Sequence, residues 1–147
     1  MVEGWRDSDY FVVFTSHAEK SEATEAYAMG EFLPGFAVIG LKGWDDMIVE
    51  NSAGEMFCVP AVPLDRQYLA ALAIELDAGA LRRDERFEGK VKWYRTPIIF
   101  GGDPNVGPNM TWISHALHRE AVRSWNRIYR EMKAKEADRR ASENAAS

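Results

Sequence analysis

The residues of this chain whose types could do chemistry are three histidines, one cysteine, a scatter of serines and a glycine-rich loop. His115 and His118 stand three apart, which puts both on one side of a helix at a spacing that suits two metal ligands, and Asp103 is available as a third. No second cluster of His or Cys accompanies them, so the reading set against the metal site is a pair of histidines flanking a helix start. Cys58 lies in the apolar run Met56-Phe57-Cys58-Val59, where a thiol behaves as a small buried side chain, and no cation near it in sequence activates it. Ser16, Ser52, Ser114 and Ser124 lack the Gly-x-Ser-x-Gly elbow that exposes a nucleophile. Gly101-Gly102-Asp103-Pro104 follows a strand pattern and precedes a helical one, yet it has neither the Gly-Lys-Ser/Thr ending of a phosphate loop nor a dinucleotide fingerprint. The expectation is therefore a non-enzymatic chain with no catalytic residue, no metal and no cofactor.

Binding chemistry is better represented. Trp44-Asp45-Asp46 joins an aromatic ring to two carboxylates in a turn, which offers contact area at low entropic cost together with acceptors for Arg or Lys. The competing reading is a core tryptophan followed by two turn-forming aspartates. Glu50 and Glu55 follow closely, and with Trp44, Asp45 and Asp46 they form the expected partner-binding set. Charge is divided along the chain: residues 1–65 carry 12 Asp/Glu against 3 Lys/Arg, whereas residues 66–147 carry 11 against 15. An acidic half speeds association with a basic protein and repels nucleic acid. Arg119, Arg123, Arg127 and Arg130 line one helix, but with a sequence pI near 5.2 they serve better as the outer face of that helix, or as partners for the acidic half, than as a nucleic-acid contact.

The elements that must hold these residues follow from periodicity. With 147 residues, 46% hydrophobic and 28% charged, the chain is sized for one domain, expected over residues 1–133 with a polar tail over 134–147. No apolar run is long enough to span a membrane, and the polar N-terminus is unlike a secretory signal, so a cytoplasmic location and no membrane partner are expected. Residues 9–15 read as a buried strand. Ser16 and Glu19 form a capping box that opens a helix to about Gly30. Pro34-Gly35 forces a corner, residues 36–39 form a strand, and residues 47–50 and 55–59 pair as a hairpin. Tyr68, Leu69, Leu72 and Leu76 recur at helical spacing, which predicts a helix from about Leu64 to Gly79. Residues 91–96 predict a strand that residues 97–100 extend, and residues 101–109 a loop. Leu117, Ala121, Trp125, Ile128 and Met132, widened by Val122 and Tyr129, mark a long C-terminal amphipathic helix. The fold class is α+β: one antiparallel sheet flanked by helices.

Residues 27–63 of this order, with Glu31-Phe32-Leu33-Pro34-Gly35-Phe36-Ala37-Val38-Ile39-Gly40, then Gly43, then Gly54-Glu55-Met56-Phe57-Cys58-Val59-Pro60, resemble the central part of SMI1/KNR4-like (SUKH superfamily) domains. That pattern is a helix, a Leu-Pro-Gly corner into an Ile-Gly strand, an acidic turn and a hairpin ending in Val-Pro. Gly102-Asp103-Pro104, Asn109, His118, Val122 and Trp125-Asn126 also look like the end of some bacterial members. The chain departs from the pattern in lacking the long N-terminal helix, and in placing Trp44-Asp45-Asp46 where glycines are common. The resemblance implies an α+β scaffold that acts as an immunity protein, binding and occluding a cognate bacterial toxin, often a nuclease. The expected partner is accordingly a basic toxin domain. The alternatives are a small metal-dependent or ligand-binding enzyme using Asp103, His115 and His118, or a structural adaptor in a phage or defence complex.

Overall fold

A computed structural model of the chain describes residues 1–146. Six strands form one antiparallel meander in sequential order: β1 (Val2–Arg6), β2 (Asp9–Val13), β3 (Phe36–Lys42), β4 (Asp46–Asn51), β5 (Met56–Pro60) and the two-residue β6 (Ala70–Ala71). Two more, β7 (Lys90–Tyr94) and β8 (Met110–Ser114), pair antiparallel as a separate sheet. Helix α1 (His17–Ala26) and the single turn α2 (Met29–Phe32) join β2 to β3, and α3 (His115–Ala146) closes the chain. The expected α+β class with a long C-terminal helix is present as read.

The central strands are buried on both faces, which is why residues 10–14 run apolar without a break. Tyr10, Val12 and Phe14 of this stretch join Val38, Leu41, Met47 and Val49 on one face, with Ala23, Tyr27 and Phe32 of the helical connection and Val122 of α3. Phe11 and Val13 alternate to the other face with Ile39 and Ile48. A register shift between Val38 and Gly40 adds one residue to β3, so that Ile39 lies on that second face while Leu41 returns to the first face opposite Met47. Gly40 is required at the shift, because a Cβ there would lie 2.8 Å from the Val12 carbonyl oxygen. At the corner, Gly35 takes φ +91°, which turns the chain from α2 into β3. The Ser16 capping box is formed, with the Glu19 amide donating to Ser16 Oγ and the Ser16 amide to Glu19 Oε1.

Three expectations are corrected. The single helix to Gly30 is broken at Ala28, whose left-handed φ of 54° separates α1 from α2. The predicted helix over residues 64–79 is absent. After a 3-10 turn at Arg66–Tyr68 and the short β6, residues 72–81 cross the second face of the sheet as a strap, extended except for a 3-10 turn at Ala78–Ala80, laying Leu72, Ile74, Leu76, Ala78 and Leu81 on the cluster of Phe11 and Ile48. Length decides this. The strap runs from β6 to β1, where Arg82 exchanges backbone hydrogen bonds with Trp5 at 2.8 and 2.9 Å. Five strand spacings are about 24 Å; eleven residues reach only about 16 Å as a helix but more than 30 Å extended. Residues 97–100 do not prolong β7 but form a 3-10 turn, while β1 and β8 are strands where none was expected. The segment read as a polar tail continues α3 through Ala146 with most of residues 134–145 exposed; Ser147, its last residue, lies outside the described residues.

Candidate functional site

Helix α3 is turned on its axis relative to the expected stripe. Leu117 and Ile128 are exposed, and the inward line is His118, Val122, Asn126 and Tyr129. Polar groups occupy that line because the chain opposite them presents unpaired backbone. Asn126 Oδ1 accepts from the Leu64 amide at 2.7 Å, and its Nδ2 donates to the carbonyls of Ala61 and Val122, each at 2.8 Å. The proline-bearing exit from β5 has no ladder partner there, so a side-chain amide supplies one. A 2.6 Å hydrogen bond joins His118 Nδ1 to Tyr27 Oη, and burial pushes the His118 pKa down to about 3, so this ring is neutral.

The four arginines are turned against the first half of the chain. Arg119 clamps Glu22 with both terminal nitrogens, Arg123 donates to the Ala26 carbonyl, Arg127 faces Glu31 at 3.5 Å, and Arg130 donates to the carbonyl of Phe32. Part of the charge division along the sequence is thus resolved inside the molecule. Two atoms in this region, His115 Nδ1 and Arg119 Nε, are buried without a hydrogen-bond partner.

The residues weighed for metal chemistry are drawn to separate partners. Asp103 Oδ1 accepts from the amide of Asn105 in its own loop; His115 Nε2 lies 3.3 Å from Glu3 Oε1; His118 is engaged by Tyr27. Among the described residues there is no group of three or more His, Cys, Asp or Glu side chains that could hold a metal ion. Cys58 is partly buried on the strap face, and burial, followed by the charge of Asp46, pushes its thiol pKa up.

The five expected binding residues are divided between the two ends of β4. Trp44, Asp45 and Asp46 occupy the β3–β4 turn, whereas Glu50 and Glu55 belong to the β4–β5 hairpin, about 13 Å further along at the rise of a strand. Glu55 Oε1 there accepts from Asn51 Nδ2 at 3.1 Å. At the turn, Asp9 of the β1–β2 hairpin comes alongside: the Gly43 amide donates to the Tyr10 carbonyl, and Asp9 adds to the field on Asp46. Trp44 is partly exposed, and its inner side packs on Tyr94 and Trp112 with ring centroids at 5.9 and 6.1 Å.

Lys92 was invisible to sequence reasoning as part of this end. It is only 7% exposed, with its ammonium 4.6 Å from the ring centre of Trp5, 4.7 Å from that of Trp44 and 5.7 Å from that of Trp112. Alternation in β7 opposes Lys92 to the core residues Val91 and Trp93 and suggests a solvent-facing side; only the tryptophans of three other segments cover it. Burial lowers its pKa, against the attraction of Asp9.

No hydrogen bond or ion pair engages the carboxylate of Asp45 or of Asp46 among the described residues. Burial, and then the neighbouring Asp46, pushes the Asp45 pKa up to about 7; burial raises Asp46 as well, against the pull of Lys42. The turn therefore presents a partly exposed indole beside two carboxylates whose charged forms lack direct partners.

Comparison of the chain with protein-family models, with curated proteins and with solved structures finds no match. Among the described residues, no helix is long and apolar enough to cross a membrane.

Proposed function

We propose that the chain is a protein-binding module of SMI1/KNR4-like type, working as an immunity-type protein that occludes a cognate toxin through the Trp44-Asp45-Asp46 turn. The observation that carries this reading is the pair of partly buried carboxylates left without a hydrogen bond or ion pair beside an indole. A basic side chain arriving there supplies the missing counter-charge and packs on Trp44, so the unfavourable desolvation already present in the free protein becomes binding energy. Glu50 and Glu55, at the opposite end of β4, steer the approach of a basic partner without sharing that contact.

The test is isothermal titration against the product of the gene adjacent to this one. The triple change Trp44→Ala, Asp45→Asn, Asp46→Asn is expected to weaken association by at least about 100-fold, and Glu50→Gln with Glu55→Gln by less than about fivefold. Undiminished binding by the triple variant removes the turn from the interface. Because Asp45 loses its proton near pH 7, association of the unaltered chain is expected to be tighter at pH 8 than at pH 5.5.

A further inference from the structure

The corner built by Leu33-Pro34-Gly35 carries a feature that toxin occlusion does not use. Outside it lies an open recess of about 570 Å³ with Pro34, Arg66, Tyr129, Arg130 and Lys133 among its walls. Arg66 Nη2 donates to the Pro34 carbonyl at 2.6 Å, and its guanidinium stands 5.5 Å from the ring centre of Phe36. Arg130 Nη2 donates to the carbonyls of Phe32 and Leu64, with its guanidinium 6.0 Å from the ring of Phe32. The Lys133 ammonium lies 5.7 Å from the ring of Tyr129. Each cation is thus backed by an aromatic ring, and the two guanidinium groups are also fixed by main-chain oxygens.

No carboxylate lies within ion-pairing distance of Arg66 or Arg130 among the described residues, and Lys133 has only the distant Glu136 at 3.9 Å. Two acids share the recess walls, and neither forms an ion pair with Arg66, Arg130 or Lys133. Asp65 accepts from the Gln67 amide, from Gln67 Nε2 and from Tyr129 Oη, while Glu31 faces Arg127. Asp65 keeps its charge beside Arg130, so the recess sets three cations against this one carboxylate, whose oxygens are taken up by Gln67 and Tyr129, and the balance stays positive in a protein of net charge -5. Guanidinium groups already fixed in place lose little entropy on binding, and their remaining N–H donors suit the oxygens of a tetrahedral anion.

We propose that the recess at the Leu33-Pro34-Gly35 corner is a binding site for a phosphate group, held between the guanidinium groups of Arg66 and Arg130 with Lys133 as the third cation. The site is independent of the Trp44-Asp45-Asp46 turn, which belongs to the other end of β3.

The experiment is calorimetric titration of the full chain with inorganic phosphate and, separately, with phenyl phosphate, at ionic strength held constant with sodium chloride. Saturable binding with a dissociation constant on the order of 1 mM is expected for phosphate. Tighter binding of the ester assigns the phosphate to a small organic molecule, since the aromatic walls then contribute; equal binding assigns it to the free ion. Arg66→Gln is expected to weaken binding about tenfold and Lys133→Gln about threefold, whereas Arg83→Gln, on the far side of the strap, leaves it unchanged. Both recess residues are exposed, so the fold is retained and circular dichroism verifies this. Absence of saturation with either ligand, or an equal loss in all three variants, overturns the proposal.

Discussion

The packing of α3 against the rest of the chain and the turn between β3 and β4 bury polar groups to opposite ends. Under α3, Asn126 is wholly buried and all three of its hydrogen bonds end on backbone atoms, while His118 is buried, neutral and bonded to Tyr27. At the turn, Asp45 and Asp46 are partly buried, and among the described residues their carboxylates have no hydrogen bond or ion pair. A buried polar group that is satisfied fixes a unique arrangement; a partly buried carboxylate without a protein partner loses part of its hydration and is raised in energy in its charged form. The first region satisfies most of what it buries, His115 Nδ1 and Arg119 Nε excepted, and so holds the fold together; the second leaves two carboxylates open, which is the feature the proposed recognition would use.

Breaking the satisfied side has the largest consequence. Asn126→Leu strands the amide of Leu64 and the carbonyl of Ala61 in the interior and is expected to cost about 3 kcal/mol, read from urea unfolding. Next comes acid. His118 binds its proton below about pH 3 in the folded chain but near pH 6.5 when unfolded, so across that window the unfolded state holds the extra proton and stability falls as pH falls. A loss of about 2 kcal/mol is expected between pH 6.5 and pH 5 from this group, and His118→Gln removes that slope from the unfolding free energy.

The turn contributes the opposite slope. Asp45 keeps its proton in the folded chain up to about pH 7 and releases it near pH 4 when unfolded, so its contribution weakens the fold as pH rises between those values. Asp45→Asn is expected to stabilise the chain by about 1 kcal/mol at pH 8, once solvent screening at this partly exposed site is allowed for, and to change it little at pH 4. Thermal unfolding of the variant at both values checks the sign; destabilisation at pH 8 would erase the contrast between the two regions. The smallest effect belongs to the outer ion pair. Arg127 and Glu31 are each more than half exposed, and Arg127→Gln is expected to shift stability by less than about 0.5 kcal/mol in the same assay.

Where local chemistry dictated structure, the sequence was legible. The Ser16 capping box, the Pro34-Gly35 corner, the hairpin at Asn51-Ser52-Ala53-Gly54 and the buried strand through residues 10–13 all follow from residue types at short range. Residues 64–79 were not legible, because Leu72 and Leu76 satisfy a helical spacing while Leu72, Ile74, Leu76 and Ala78 satisfy an extended one. Only the span from β6 to β1 selects between them. The binding set was half legible: Trp44, Asp45 and Asp46 share a turn by sequence alone, but Glu50 and Glu55 are carried to the other end by the strand between.

The sequence by itself determined the α+β class, the corner, the hairpin and the presence of a long last helix, since each rests on propensity and periodicity within a few turns of chain. Tertiary structure decided which side of that helix faces inward, that its arginines answer the acidic first half, and that Lys92 is enclosed by tryptophans from three separate segments. Burial and pairing are properties of surfaces that meet only after folding, and no spacing along the chain encodes which carboxylate will be left without a partner.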